Sequence, residues 1–266
     1  MVIDVHRPNH RASAYNALRN RLRAAIVATA GVGMRDIGRG TAVRFAFIVG
    51  CGHSGTSLLA SRLGLHPQAF LVDGESYAFV PTVSAFRCRR EVLGWARAAE
   101  AAGRSLVIEK TPKHVHSITR IMRLLPGARV VAMVRNPLDS VASMKQRFGS
   151  LELAVERWNL DNAAVARIVA GGVAVKVRYE DLTTDPPREF ARALGHVGLG
   201  WDPSVLLDGQ SAYSSAARNL LKDRVEQVSR PITPRSGRWR EALDESEAAA
   251  VLASTADVAA RLGYSR

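Results

Sequence analysis

"FIVGCGHSGTSLLASRLG", Phe47 to Gly64, joins an apolar strand-like run to a helix-like one through glycines and small hydroxyl residues, Gly50 to Ser57. The layout is that of a phosphate-cradling loop, G-x-x-x-x-G-K-[ST], with one departure. Thr56 follows the second glycine, Gly55, where the pattern has lysine. Amides of a glycine-rich turn and of the helix start behind it form an anion site. Ser54, Thr56 and Ser57 add hydroxyl donors to it. Without the lysine, triphosphate chemistry lacks a main electrostatic element, so the loop suits a less highly charged anion.

Outward from this loop the chain alternates short apolar runs with helical ones. Strands are expected at 44–50, 105–109, 128–134 and 172–180, and helices at 56–65, 115–125, 137–148, 151–170, 186–197 and 244–262. His66-Pro67 ends the first helix. Continuously apolar strands between helices predict an α/β fold, a P-loop-like parallel sheet with helices on both faces. Ligands of such sheets bind at the carboxyl ends of the strands, where His53, Ser54, Glu109, Lys110, Arg135 and Tyr179 fall. Residues 12–30 carry Tyr15, Leu18, Leu22, Ile26 and Ala30 at helical spacing, an amphipathic helix packed on the body or, less simply, lying on a membrane surface. The expected organisation is one domain over 1–266, with a helical extension at 1–43, a core at 44–245 and a C-terminal helix at 246–266.

Composition narrows the function classes. The 266 residues suffice for a large core, and no apolar run approaches the ~20 residues of a membrane span. The N-terminus has no signal-peptide layout, which predicts a cytoplasmic protein. Two cysteines, Cys51 and Cys88, make neither a disulfide framework nor a thiolate zinc site. Cys51 reads as a small loop residue. The net charge of +13, from 37 Lys+Arg against 24 Asp+Glu, attracts anions. The basic residues are spread along the chain with no recognition motif, so no dedicated nucleic-acid partner is expected.

Two further stretches carry chemistry. In "VVAMVRNPLDSVASM" a strand delivers Arg135, Asn136-Pro137 suits a helix N-cap and first turn, and Ser143 follows on the helix. An arginine and a hydroxyl on adjoining elements can grip one phosphate together. A capped junction with a surface arginine is the plainer reading. In "VIEKTPKHVH" Lys110 emerges past a buried strand, and Thr111-Pro112 turns the chain.

Together these stretches resemble the sulfotransferases that use 3′-phosphoadenosine 5′-phosphosulfate (PAPS). "HSGTS" (53–57) is similar to the family's 5′-phosphosulfate loop, "EKTP" (109–112) to its [DE]-K-[TS]-P-like segment, and "RNPLDSVAS" (135–143) to its 3′-phosphate motif. "VKVRYEDLTTDP" (175–186) and "SGRWREAL" (236–243) match two later family segments. The resemblance implies the sulfotransferase fold and metal-independent sulfonyl transfer, with adenosine 3′,5′-bisphosphate (PAP) as product and no metal site. It assigns Ser54, Gly55, Thr56 and Ser57 to the 5′-phosphosulfate, Arg135 and Ser143 to the 3′-phosphate, and Tyr179 to the adenine neighbourhood. By position Arg238, and more weakly Arg235, reaches the 3′-phosphate. The family usually has Lys or Arg where this chain has His53, which leaves Lys110 with more of the electrostatic work.

Glu75 is the expected general base, because several branches have a glutamate at about this distance from the loop. Asp73, His114 and His116 are rivals, and Glu109 is expected to support Lys110 or the loop. The resemblance implies an acceptor hydroxyl or amine on a small molecule, carbohydrate or lipid. Its contacts are expected from 76–104, from 145–165 with Trp158 as a stacking candidate or a core residue, and from a lid at 202–232. A homodimer is left open. A P-loop kinase or hydrolase, a nucleic-acid binder and an inactive sulfotransferase relative are the competing readings.

Overall fold

The computed structural model describes residues 34–214, 222–234 and 236–264. The expected helix at 12–30 and Arg235 lie outside the described residues. Five strands, β1 (Arg44–Gly50), β2 (Ala69–Leu71), β3 (Leu106–Lys110), β4 (Arg129–Val134) and β5 (Ala174–Arg178), form one parallel sheet in the order β2-β3-β1-β4-β5. Chain direction across the sheet reverses at β1, whose neighbours are β3 and β4. A crevice opens at the carboxyl ends there. Register sets what borders it: Ile48 lies opposite Lys110, and Gly50 opposite Met133.

The helices are α1 (Thr56–Gly64), α2 (Ala85–Ala101), α3 (Ile118–Leu124), α4 (Pro137–Phe148), α5 (Leu151–Ala170), α6 (Tyr179–Thr184), α7 (Pro186–Val197), α8 (Lys222–Ser229) and α9 (Glu245–Arg261). Short 3₁₀ turns cover Pro112–Ser117, Pro203–Leu206 and Arg238–Glu241. Side chains alternate across β1 as a strand's period of two requires. Phe45, Phe47 and Val49 pack with α2, α3 and α5. Ala46 and Ile48 pack with Leu59 and Leu63 of α1 and with Phe190 and Leu194 of α7. Phe47, Ile48 and Val49 are fully buried, each stabilising the fold by about 1.5–3 kcal/mol. A third apolar cluster joins α4, α5 and α9 around Trp158.

Several elements differ from the sequence expectation of four strands: β2 is a fifth, and its three residues are too few to show a period. Within 76–104 a 17-residue helix, α2, buries Ala85, Cys88, Val92, Trp95, Ala96 and Ala99 and is capped by Ser84, whose side chain accepts from the Arg87 amide. Its helical period is carried by small residues among arginines, which is why the stretch reads as unpatterned. The fourth expected strand is shorter than 172–180, because Gly172 (φ 68°) turns the chain before it and α6 begins at Tyr179. The helix expected at 115–125 starts as the 3₁₀ turn after Pro112 and becomes α-helical at Ile118.

Candidate active site

The loop after β1 is shaped by its glycines. Gly50 has φ 147°, and a β-carbon there would collide with the Met133 carbonyl oxygen on β4. Gly55 has φ 92°, and a β-carbon there would sit 2.6 Å from Cδ2 of Tyr179. That left-handed residue is the N-cap of α1, which has no side-chain cap and no acid in its first turn. The first amides of a helix lack intrahelical partners, so α1 presents uncapped N–H groups and a partial positive charge. Thr56 and Ser57 are buried beside them, and the fully buried Ser54 Oγ has no hydrogen-bond partner. An orphaned hydroxyl at an uncapped helix start fits an anion.

Arg135 leaves the end of β4, and α4 starts behind it with Asn136 as N-cap, its side chain accepting from the Asp139 amide, and Pro137 in the first turn. The Arg135 guanidinium stacks on the Tyr179 ring at 4.4 Å and faces Asp139 at 3.8 Å. Ser143, farther along α4, meets the loop directly: its Oγ is 2.8 Å from His53 Nδ1. The loop and the Arg135–Ser143 pair therefore border one cavity of about 300 Å³, whose walls include His53, Ser57, Arg135, Ser143, Tyr179 and Arg238. Both clusters follow the carboxyl ends of neighbouring strands, β1 and β4.

Asp139, given no role by the sequence analysis, organises the far wall. Its carboxylate accepts from the amides of Gly237 and Trp239, each at 3.0 Å, and so fixes the turn that carries Arg238. The available signal was an acid in the first turn of a helix, which suggests a cap rather than a clamp. Glu180 ties the same corner together, accepting from Asn136 N at 2.9 Å and from the Tyr264 hydroxyl at 2.8 Å.

Glu75 and Lys110, which are not among the walls of that cavity, form a buried ion pair at the end of β3. Lys110 Nζ donates to Glu75 Oε1 at 2.7 Å, with the lysine side chain fully buried and Glu75 17% exposed. The Tyr77 hydroxyl donates to the other oxygen, Oε2, at 2.7 Å. The Tyr213 ring lies 5.8 Å from Lys110 Nζ. Burial, and then the charge of Glu75, push the phenols of Tyr77 and Tyr213 up, so both stay protonated donors at neutral pH.

The rival carboxylate and histidines are otherwise engaged. Asp73 accepts from the Ser214 amide and hydroxyl. His114 is sealed in the core: its Nε2 accepts from the Phe79 amide at 3.1 Å, so the proton is on Nδ1, which donates to Glu109 Oε2 at 2.9 Å. His116 faces Asp161 of α5 at 2.6 Å. Burial pushes the Glu109 carboxyl up, but the electrostatic interaction with His114, followed by hydrogen bonds from His114, Thr111 and Ser76, outweighs it and holds the group below the ordinary glutamate range. Trp158 is wholly buried in the α4–α5–α9 cluster, the core position rather than a stacking surface. Cys51 is buried, and burial followed by the charge of Asp161 pushes its thiol well up, which opposes thiolate reactivity. Among the described residues no His/Cys/Asp/Glu group has a metal-binding arrangement, and no helix is long and apolar enough to cross a membrane.

The cavity is roofed by Gln227, Val228 and 230–233. This roof is fastened to α1. The buried Arg62 donates to the carbonyls of Leu207 and, at 2.8 Å, Arg230, while Ser61 Oγ lies 3.0 Å from Ser211 Oγ.

Comparison with known proteins gives a consistent answer. A family model described as "Sulfotransferase family" matches residues 89–203, which include Lys110, Arg135, Ser143 and Tyr179. Protein-tyrosine sulfotransferase 1 of Danio rerio is 25% identical over 258 residues, covering 82% of this chain and 71% of its own. The solved sulfotransferase domain of the Synechococcus PCC 7002 olefin synthase superposes with a TM-score of 0.59 at 18% identity, over 86% of this chain and 98% of that one. Mouse sulfotransferase SULT7A1, complexed with PAP, superposes with a TM-score of 0.51 at 12% identity, over 82% and 85%. The structural likenesses are likenesses of fold.

Proposed function

We propose that this chain is a sulfotransferase whose donor is PAPS and whose acceptor is a hydroxyl or amine on a small molecule, carbohydrate or lipid. The observation that carries the reading is the single cavity shared by the α1 start and the Arg135–Ser143 pair. The PAP in the mouse structure supports this donor class. PAPS supplies the sulfonyl group and leaves as PAP.

The residues divide the work by chemistry. Ser54, Gly55, Thr56 and Ser57 receive the 5′ end through amides and hydroxyls. Arg135 and Ser143 take the 3′-phosphate, with Arg238 closing the far wall and Tyr179 beside the adenine. The guanidinium lies over the Tyr179 ring at 4.4 Å and can offer paired hydrogen bonds to a phosphate. His53 stands between the two phosphate sites through its contact with Ser143. Its imidazole donates to the departing phosphate oxygen, and Lys110 supplies the fixed positive charge nearby. Glu75 takes the proton of the acceptor as the acceptor attacks sulfur in line. Positioning and preorganised donors provide most of the rate, and the base adds roughly 10²–10⁴-fold.

The test is thermal stabilisation by PAP without added metal, compared with ATP plus Mg²⁺, followed by an acceptor screen with labelled PAPS. PAP is expected to raise the melting temperature by several degrees, the effect of a ligand at about 100 times its Kd. Stabilisation by ATP–Mg²⁺ and none by PAP overturns the reading.

A further inference from the structure

We propose that Tyr77 is a positioning residue for the transfer reaction: its hydroxyl holds one oxygen of Glu75 while Lys110 holds the other, which fixes the carboxylate plane toward the acceptor. The inference rests on Glu75 being the base. Each contact is 2.7 Å long, and they fall on different oxygens, Oε1 for Lys110 and Oε2 for Tyr77. A carboxylate held at one oxygen still swings about its terminal bond; held at both, it has one orientation.

The backbone shows that this placement is built in. Tyr77 has φ 51°, the left-handed region that a bulky side chain rarely adopts. Such strain persists only where the surroundings over-determine it. Here they do: Thr111 Oγ1 accepts from the amides of Ser76 at 3.1 Å and Tyr77 at 3.3 Å. Thr111 and Ser76 in turn donate their hydroxyls to the buried Glu109 Oε1, at 2.5 and 2.7 Å. Packing does not account for the conformation, because Tyr77 belongs to none of the three apolar clusters. The same geometry gives Glu109 its use: it fixes the turn that aims the phenol. Other groups facing this site are Tyr213, Lys113 from the 3₁₀ turn and Arg157 from α5.

Tyr77→Phe removes the hydroxyl and keeps the ring. With PAP release from PAPS as the readout, measured with p-nitrophenol as probe acceptor and with water alone, kcat should fall roughly tenfold, the size of one hydrogen bond to a charged group. KM for PAPS should stay within twofold, about the scatter of a neutral change. In a Glu75→Gln background, itself slower by roughly 10²-fold, adding Tyr77→Phe should change nothing further. Tyr77→Gly, which suits the left-handed backbone, should be no less stable than Tyr77→Phe and equally slow. A readout independent of turnover is the infrared carboxylate band of the ligand-free protein that disappears in Glu75→Gln; it should move in Tyr77→Phe. An unmoved band, or wild-type kcat in Tyr77→Phe beside a slow Glu75→Gln, overturns the role of Tyr77 and leaves the base in place. Undiminished turnover in Glu75→Gln overturns the base, and the inference with it.

Discussion

Arg135 makes three different contacts with one planar group: it stacks on Tyr179 at 4.4 Å, faces Asp139 at 3.8 Å, and lies 3.5 Å from the His53 carbonyl oxygen. A lysine keeps the charge but has neither the plane to stack nor the fork to bind a phosphate through two hydrogen bonds. Arg135→Lys should therefore behave almost like Arg135→Ala, with PAP affinity reduced roughly 10- to 100-fold, as for loss of a paired charged contact. Calorimetric titration of PAP checks this; near wild-type affinity in the lysine variant would show that charge alone matters. His53 illustrates the complementary point. Sequence reading identifies it as the residue standing where a cation is usual, but not that its ring reaches Ser143 eight residues beyond Arg135.

Helix α1 acts at both ends. Its first turn faces the cavity, and its later turns hold the roof through Arg62 and Ser61. Arg62→Met is close in length and removes the donors, leaving the carbonyls of Leu207 and Arg230 without this partner. A loss of about 1–3 kcal/mol is expected in urea unfolding, together with a raised KM for PAPS and little change in kcat. Equal effects on both kinetic constants would mean that the roof acts on chemistry as well as binding. Helix α4 is a second example of an element with two uses. Asn136 caps it, and Asp139 in the same turn holds the Gly237–Trp239 segment. The cap is legible from "RNP"; the partner 98 residues away from Asp139 is not.

Across the whole molecule, the buried Glu109 links stability to pH. Its native carboxyl is held below the ordinary glutamate range, so the folded protein binds the proton more weakly than the unfolded chain. The stabilisation is complete above the unfolded value and is lost as pH falls through the native one. Urea midpoints measured downward from about pH 7 should decline more steeply below the ordinary glutamate range in wild type than in Glu109→Gln. Parallel declines would show that the network around Glu109 does not respond to its proton.

The alternating strands and helices, the glycine loop and the chemistry at the strand ends were all legible in the chain. Strand β1 and helices α4, α5 and α7 have the expected boundaries, because apolar period, caps and prolines act over a few residues. Strand β2 is too short to show a period, and helix α2 is not legible because its buried face is made mostly of alanine and cysteine, whose weak hydrophobic contrast is drowned by arginines. What only the tertiary structure decided is which side chains meet. The β2-β3-β1-β4-β5 order brings residues 53 and 143 together, and the register puts Lys110 within reach of Glu75 and so of Tyr77. The physical reason is range: local sequence sets the conformation of each segment, whereas contacts across long crossovers depend on how whole layers pack, which no short stretch encodes.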